Sequence, residues 1–276
     1  MYGEPAKIGA MRTTFVPVGP ALERCVDRIW TWEGDPSELP ALLPGTGAEL
    51  IFHRGTQLTA HGADGPVSLP QAHLLCMRRE RWSLTADGMV AFTAIRLRAG
   101  ALAYLTDHPV EDLIDRAVDI SDLLGPAGRY LVSALNGTGD LTVRAARAEQ
   151  VLRRQPTHRT DPRIMAAVHQ LYRQPASTSL KDLAPALGVS TRHLRRGFAA
   201  AAGVSPKEFQ RLVRFQRVIR TMLLKSPTSA APVALAAGYY DQSHFIKEFR
   251  RLAGQSPGRM LSQPPPHFYL PSLPRP

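Results

Sequence analysis

Two short stretches carry the side chains best suited to chemistry. Arg192, Arg195 and Arg196 lie close together in one, and Gln242, Ser243 and Lys247 in the other. A guanidinium offers two parallel donors that match the N7 and O6 of guanine, and a Gln amide matches N6 and N7 of adenine. Both edges are presented in the DNA major groove, where Ser and Lys also find partners. On a single helix the same residues read equally well as an ordinary solvated face, so their positioning has to decide.

That positioning is repeated. A 50-residue offset takes Leu183, Ala184, Leu187, Gly188 and Val189 onto Val233, Ala234, Ala237, Gly238 and Tyr239. Past the turn the offset becomes 51, taking Ser190 onto Asp241, Leu194 onto Phe245, Arg196 onto Lys247 and Phe198 onto Phe249. Each copy reads as a helix, a glycine that reverses the chain, an N-cap of Ser or Asp, and a second helix. Leu194 and Phe198, or Phe245 and Phe249, would pack that second helix and leave its polar side outward. Between the copies, Ser205-Pro206 opens an apolar-periodic stretch to about Leu224, through Phe209, Leu212, Val213, Gln216, Ile219 and Leu223. A helix of roughly 19 residues is about 28 Å long, approaching the ~34 Å of one DNA turn. Such a strut could place both second helices in successive major grooves.

Residues 161–262 resemble the C-terminal DNA-binding domain of the AraC/XylS family of bacterial transcription regulators. The resemblance is carried by Gly238-Tyr239-Tyr240-Asp241-Gln242-Ser243-His244-Phe245, Phe249 and Gly254-Gln255-Ser256-Pro257, with Leu187-Gly188-Val189-Ser190 and Gly203-Val204-Ser205-Pro206. It implies base contacts from Arg192, Arg195, Arg196, Gln242, Ser243 and Lys247. One departure is Pro185, which lacks the amide that would bond back to Lys181. It predicts a kinked or irregular end to the first helix of copy one.

Charge is divided in the same way. Residues 1–160 hold 17 Lys and Arg and 18 Asp and Glu, a net of −1, whereas residues 161–276 hold 17 and 5, a net of +12. Nearly all of the chain's +11 therefore sits with the paired motif, as phosphate-backbone binding by that half requires. The two cysteines, Cys25 and Cys76, are too few and too separated for a disulfide scaffold or a metal knot and read as buried thiols. No run approaches the ~18 apolar residues of a membrane helix, and no basic region followed by an apolar core marks a leader. Cytoplasmic residence and no membrane partner are the expectation.

The expected fold class is α+β: a small antiparallel β barrel or sandwich with trailing helices, then an all-α half with two helix-turn-helix motifs. Residues 1–155 would form a sensor or dimerisation domain, 156–162 a linker, 163–262 the DNA-binding domain and 263–276 a proline-rich tail without regular structure. Residues 1–14 read as a loose arm and 29–33 as an alternating strand. Further strands are expected at 48–53, 57–61, 72–77, 80–85 and 90–98, with Asp87-Gly88 as a hairpin signal between the last two. Helices follow at 100–106, 110–115, 126–136 and 140–155. The last bears an apolar stripe of Leu141, Ala145, Ala148, Val151 and Leu152, which suits either internal packing or a homodimer seam.

The N-terminal half looks similar to a sensor domain found in uncharacterised members of the same family. If it encloses an effector pocket, Trp30, Trp32, His53, Arg81, Trp82 and Arg96 are the residues to line it, since aromatic walls with few polar groups suit small organic ligands. The alternatives are core packing for the tryptophans and a solvated strand face for the arginines. Catalysis has little to stand on. His53, His61 and His73 are scattered, no His-X-His pair occurs, and no GxSxG, P-loop or GxGxxG is present. No metal, cofactor or catalytic residue is assigned. The sequence implies a regulator with double-stranded DNA as partner, and a small-molecule effector, a second copy or RNA polymerase as further partners. The alternatives are a regulator whose N-terminal half only dimerises and, more remotely, an enzyme anchored to DNA.

Overall fold

The computed structural model describes residues 12–39, 41–137, 140–154, 160–225, 227 and 229–262. The first part of the expected arm, most of the expected linker and the proline-rich tail lie outside these residues.

Among the described residues, the N-terminal half contains nine strands: β1 (Arg12–Val16), β2 (Val26–Gly34), β3 (Ala48–His53), β4 (Thr59–Gly62), β5 (Gly65–Ser68), β6 (Ala72–Leu75), β7 (Ser83–Thr85), β8 (Val90–Leu97) and β9 (Ala117–Asp119). They form an antiparallel sheet in the order β1-β2-β8-β3-β6-β9 and a smaller one in the order β5-β4-β7. Thr13 and Thr14, expected in a loose arm, pair instead with Trp32 and Thr31.

Strand β3 is buried along its whole length because β8 and β6 pair with its two edges and both of its faces are covered. Alternation assigns the faces. Trp30, Trp32, Ile51, Phe92 and Ala94 turn toward the small sheet and pack with Leu58, Ala60, Trp82 and Leu84. Ile29, Leu50, Phe52, Leu74 and Ile95 turn the other way, into the core that continues under the helices.

The hairpin expected at Asp87-Gly88 does not form. Strand β7 pairs with β4, and β8 pairs with β2 and β3, so the turn links two sheets. Both edges of β8 are already taken, which leaves β7 no place beside it. The helices expected at 100–106 and 110–115 are 3-10 turns at Ala101–Tyr104 and Val110–Leu113. Gly100 and Pro109 precede them, the Leu105 amide closes the first on Leu102 O, and the extended Ile114 stops the second after one turn.

Helices α1 (Ile120–Leu124), α2 (Pro126–Asn136) and α3 (Leu141–Arg153) close this half. Ala145, Ala148 and Leu152 of the α3 stripe are buried, and α3 packs on α2 and β1, so the stripe serves its own domain. The Glu149 carboxylate, on the same helix, accepts from the Gly19 amide at 2.8 Å.

The C-terminal half is helical: α4 (Pro162–Arg173), α5 (Leu180–Ala186), α6 (Thr191–Ala202), α7 (Pro206–Lys225), α8 (Ala231–Ala236), α9 (Gln242–Ala253) and α10 (Pro257–Leu261). Helix α7 has 20 residues and is therefore about 30 Å long. Its Phe209 meets Phe198 of α6 edge-on at 5.3 Å, and its Phe215 meets Phe249 of α9 at 5.4 Å. The first turn of the strut thus grips one motif and its middle grips the other, each through an aromatic pair.

The two halves share one continuous apolar core. Gly100 lies against Met165 and Val168 of α4, and Gly203 lies against Val110 and Ile114, where a Cβ would collide. Thr46 donates its amide and its hydroxyl to Gln216 Oε1 on α7, at 3.2 and 2.8 Å, in a buried setting.

Candidate nucleic-acid interface

The two turns close by the same hydrogen bonds. In the first, Gly188 N–H donates to Pro185 O and Val189 N–H to Ala184 O, each at 3.0 Å. In the second, Gly238 donates to Leu235 O and Tyr239 to Ala234 O, also at 3.0 Å. This is the Schellman closure, which needs a left-handed residue after the helix. Gly188 and Gly238 supply it at φ +65° and +87°.

The tight end expected from Pro185 is present, but the second copy has it without a proline. The irregularity is a property of the turn, and Pro185 is tolerated because it and Lys181, whose carbonyl loses the bond, lie on the exposed side of the short helix.

Capping then starts each second helix. Ser190 Oγ accepts from His193 N–H at 3.1 Å, and Asp241 Oδ1 accepts from Ser243 N–H at 2.8 Å. Burial of Leu194 and Phe198 fixes the roll of α6, while Phe245 and Phe249 fix that of α9. Arg192, Arg195 and Arg196 are left exposed on α6, and Gln242, Ser243 and Lys247 on α9. All six sequence-expected DNA contacts therefore lie on the outward faces of two capped helices. Where α6 ends, at Gly203, it abuts the N-terminal half, so its arginines sit in the part turned away from that contact.

Side chains behind the helices hold this arrangement. Tyr239 donates its hydroxyl to Glu248 at 2.7 Å and is covered by the Arg214 guanidinium, 5.4 Å from its ring centre. Burial and the Glu248 bond push its acidity far from the usual phenol range, so it stays a donor. His193 meets Asp161, the α4 N-cap, at 3.2 Å, and Arg163 hydrogen bonds hold the Asp161 carboxyl well below the ordinary carboxylate range.

Three further exposed residues, His244, Arg250 and Arg251, were not singled out from the sequence. Their signal was the spacing of three and four from Lys247 on a helix. Tyr240 is also fully exposed, and it is the residue by which the second turn exceeds the first.

The six residues suggested for a pocket divide differently. Trp30, Trp32, His53 and Arg96 share one face of the large sheet, and Trp82 closes over the same aromatic cluster from the small sheet. Trp32 stacks on Phe92 at 5.8 Å, and Trp30 meets the same ring edge-on at 5.3 Å, which fills that interior with side chains. His53 stacks on His73 at 5.1 Å. Both imidazoles are buried, and burial pushes them down, to about 3 for His53 and about 4 for His73. They are neutral at neutral pH.

Arg96 is buried against Glu49 at 3.3 Å. Arg78 is buried close by, its pKa lowered by desolvation to about 10, so it too keeps its charge. Arg81 is instead exposed and runs along Gly254, the residue that ends α9. A cation there complements the helix C-terminus.

Among the described residues, no group of three or more His, Cys, Asp or Glu is arranged to hold a metal, and no helix is long and apolar enough to cross a membrane.

Comparison with known proteins agrees with the two-part layout. Residues 183–263 match the helix-turn-helix domain family, and residues 14–119 match a family described as a domain of unknown function, DUF6597. The chain is 33% identical over 81 residues to the HTH-type transcriptional regulator MtrA of Neisseria gonorrhoeae, covering 29% of this chain and 27% of that protein. It is 30% identical over 145 residues to the transcriptional activator NphR of a Rhodococcus species, covering 51% of this chain and 42% of that protein. The chain thus spans less than half the length of either relative. Among solved structures, ToxT from Vibrio cholerae aligns with 84% of this chain and 97% of its own at 14% identity, with a TM-score of 0.48.

Proposed function

The C-terminal domain of this chain belongs to the AraC/XylS helix-turn-helix family, and from that premise we propose that the protein is a transcription regulator reading two adjacent major-groove segments with α6 and α9. Arg192, Arg195 and Arg196 read one segment, preferring guanine. Gln242 and Ser243 read the other, with Lys247 on a base edge or phosphate. The observation that carries this reading is the identical closure of the two turns, which leads into two capped helices with exposed donors, both packed on the 20-residue α7.

The N-terminal half acts as a sensor in this scheme. Its 3-10 turns pack on α6 and its Thr46 engages α7, so a change in that half can alter how the two reading helices are held. Ala145, Ala148 and Leu152 of the α3 stripe are buried within the chain, which leaves only the half-exposed Leu141 and Val151 of that stripe to a homodimer.

Selection of random duplex DNA with the purified protein tests the reading. The expected winner has two boxes about one turn apart, with Arg196→Ala and Lys247→Ala each costing ~1–3 kcal/mol and relaxing preference in a different box. Absence of sequence preference, or loss confined to one substitution, would overturn it.

A further inference from the structure

We propose that the cavity between the turn preceding β2 and the last turn of α3 binds a small apolar acid. It rests on the regulator reading above, and on that reading the acid is the effector.

The cavity measures about 220 Å³ and is lined by Leu22, Cys25 and Val26 before and at the start of β2, by Leu105, and by Leu152 and Arg153 of α3. Its walls are hydrocarbon and one thiol, while Arg153 is exposed at its edge. Burial pushes the Cys25 thiol up, against the opposing charges of Arg24 and Arg98, so the wall it forms is neutral. An apolar body gains from leaving water in such a place, and the Arg153 guanidinium at its edge favours an anionic head over a neutral or cationic one. The volume lies below the ~300–1,000 Å³ usual for drug-sized ligands, which limits the occupant to a short-chain or single-ring acid.

Location supplies the second argument. Leu152 and Arg153 belong to the last helical turn before the chain passes to the DNA-reading half. Leu105 caps the 3-10 turn Ala101–Tyr104, which packs on α6. An occupant therefore touches both the covalent and the packed connection between sensor and reader. The aromatic interior of the sheets, filled by Trp30, Trp32 and Phe92, offers no comparable route.

Cys25 provides a reporter, since it is half-buried while Cys76 is buried. Alkylation of the full chain by neutral iodoacetamide, followed by intact mass, should be slowed saturably by octanoate and only weakly by 1-octanol. Arg153→Glu should raise the octanoate concentration needed by about fivefold and leave octanol unchanged. Ala21 also lines the cavity and is exposed, so Ala21→Phe places a ring at its lip and should abolish protection by either. Equal protection by acid and alcohol, no protection in the wild type, or full protection in Ala21→Phe would overturn the site.

The same preparations are titrated with the selected duplex, with and without octanoate. A changed affinity supports the effector role, and an unchanged one removes it. Sequence-specific binding without octanoate protection defeats the cavity alone. Protection without sequence preference defeats the regulator reading and leaves an acid-binding cavity.

Discussion

Gly188 and Gly238 occupy the same place in two copies of one turn, yet they are constrained differently. Both sit in the left-handed region, where a Cβ costs ~1–2 kcal/mol. A Cβ on Gly188 meets open space, whereas on Gly238 it would run into Ala176. Urea denaturation should thus show Gly188→Ala losing about 1 kcal/mol and Gly238→Ala more. Ala176→Gly should recover only the excess; equal losses at the two positions would contradict the packing. The histidine pair makes a prediction of the opposite kind. His53 and His73 are held neutral by burial, with pKa values of about 3 and about 4, against ~6.5 in the unfolded chain. Above pH 6.5 neither state binds these protons. As pH falls from about 6.5 toward about 4, the unfolded chain takes them up first and stability drops by up to ~1.4 kcal/mol per pH unit for each ring. Urea midpoints measured across that range should fall steeply with acidity, and His53→Leu should lessen the slope. The six DNA-facing residues were legible because a helix whose buried side is marked by Leu194 and Phe198, or by Phe245 and Phe249, has only one outward side. Arg81 and Arg96 were not, since the strand expected at 80–85 begins only at Ser83 and leaves Arg81 outside it, and the Glu49 that decides for Arg96 comes from a neighbouring strand.

At the scale of elements, α7 determines whether the two motifs act together. Phe209 is buried against Phe198 of the first and Phe215 against Phe249 of the second, so truncation at either should loosen one reader more than the other. Phe→Ala in such a place costs ~3–5 kcal/mol. Footprints at a temperature where both variants remain folded should show Phe209→Ala weakening the box read by Arg196, and Phe215→Ala the box read by Lys247. Equal weakening of both boxes would mean that the strut transmits the damage along its length. Helix α7 could be read from the sequence because its apolar period and its Ser-Pro start are local signals. The hairpin at Asp87-Gly88 misled for the converse reason: a turn signal reports that the chain reverses, and the partner of β7 was settled by β2 and β3, which occupy both edges of β8. The short 3-10 turns were similarly hidden, because four apolar residues do not distinguish one turn of helix from three.

For the whole molecule, the continuous core raises the question of whether sensor and reader unfold as one. All three tryptophans, Trp30, Trp32 and Trp82, lie in the N-terminal half, while most α-helix lies in α4 to α10. Tryptophan fluorescence therefore follows one half and helical circular dichroism chiefly the other. Shared burial at Gly100, Gly203 and the Thr46–Gln216 contact predicts coincident urea transitions by the two probes. Gln216→Leu should break that coincidence. It strips the acceptor from two buried Thr46 donors, at ~1–3 kcal/mol, and places the penalty at the boundary between the halves, leaving each half's own sheets and helices intact. Adding Thr46→Val to Gln216→Leu removes one orphaned donor and should draw the two transitions back toward each other. If they coincide in all three proteins, the apolar part of the boundary couples the halves without help from the polar pair. If they are already separate in the wild type, sensor and reader are independently stable, and a signal could pass between them only by moving one body against the other.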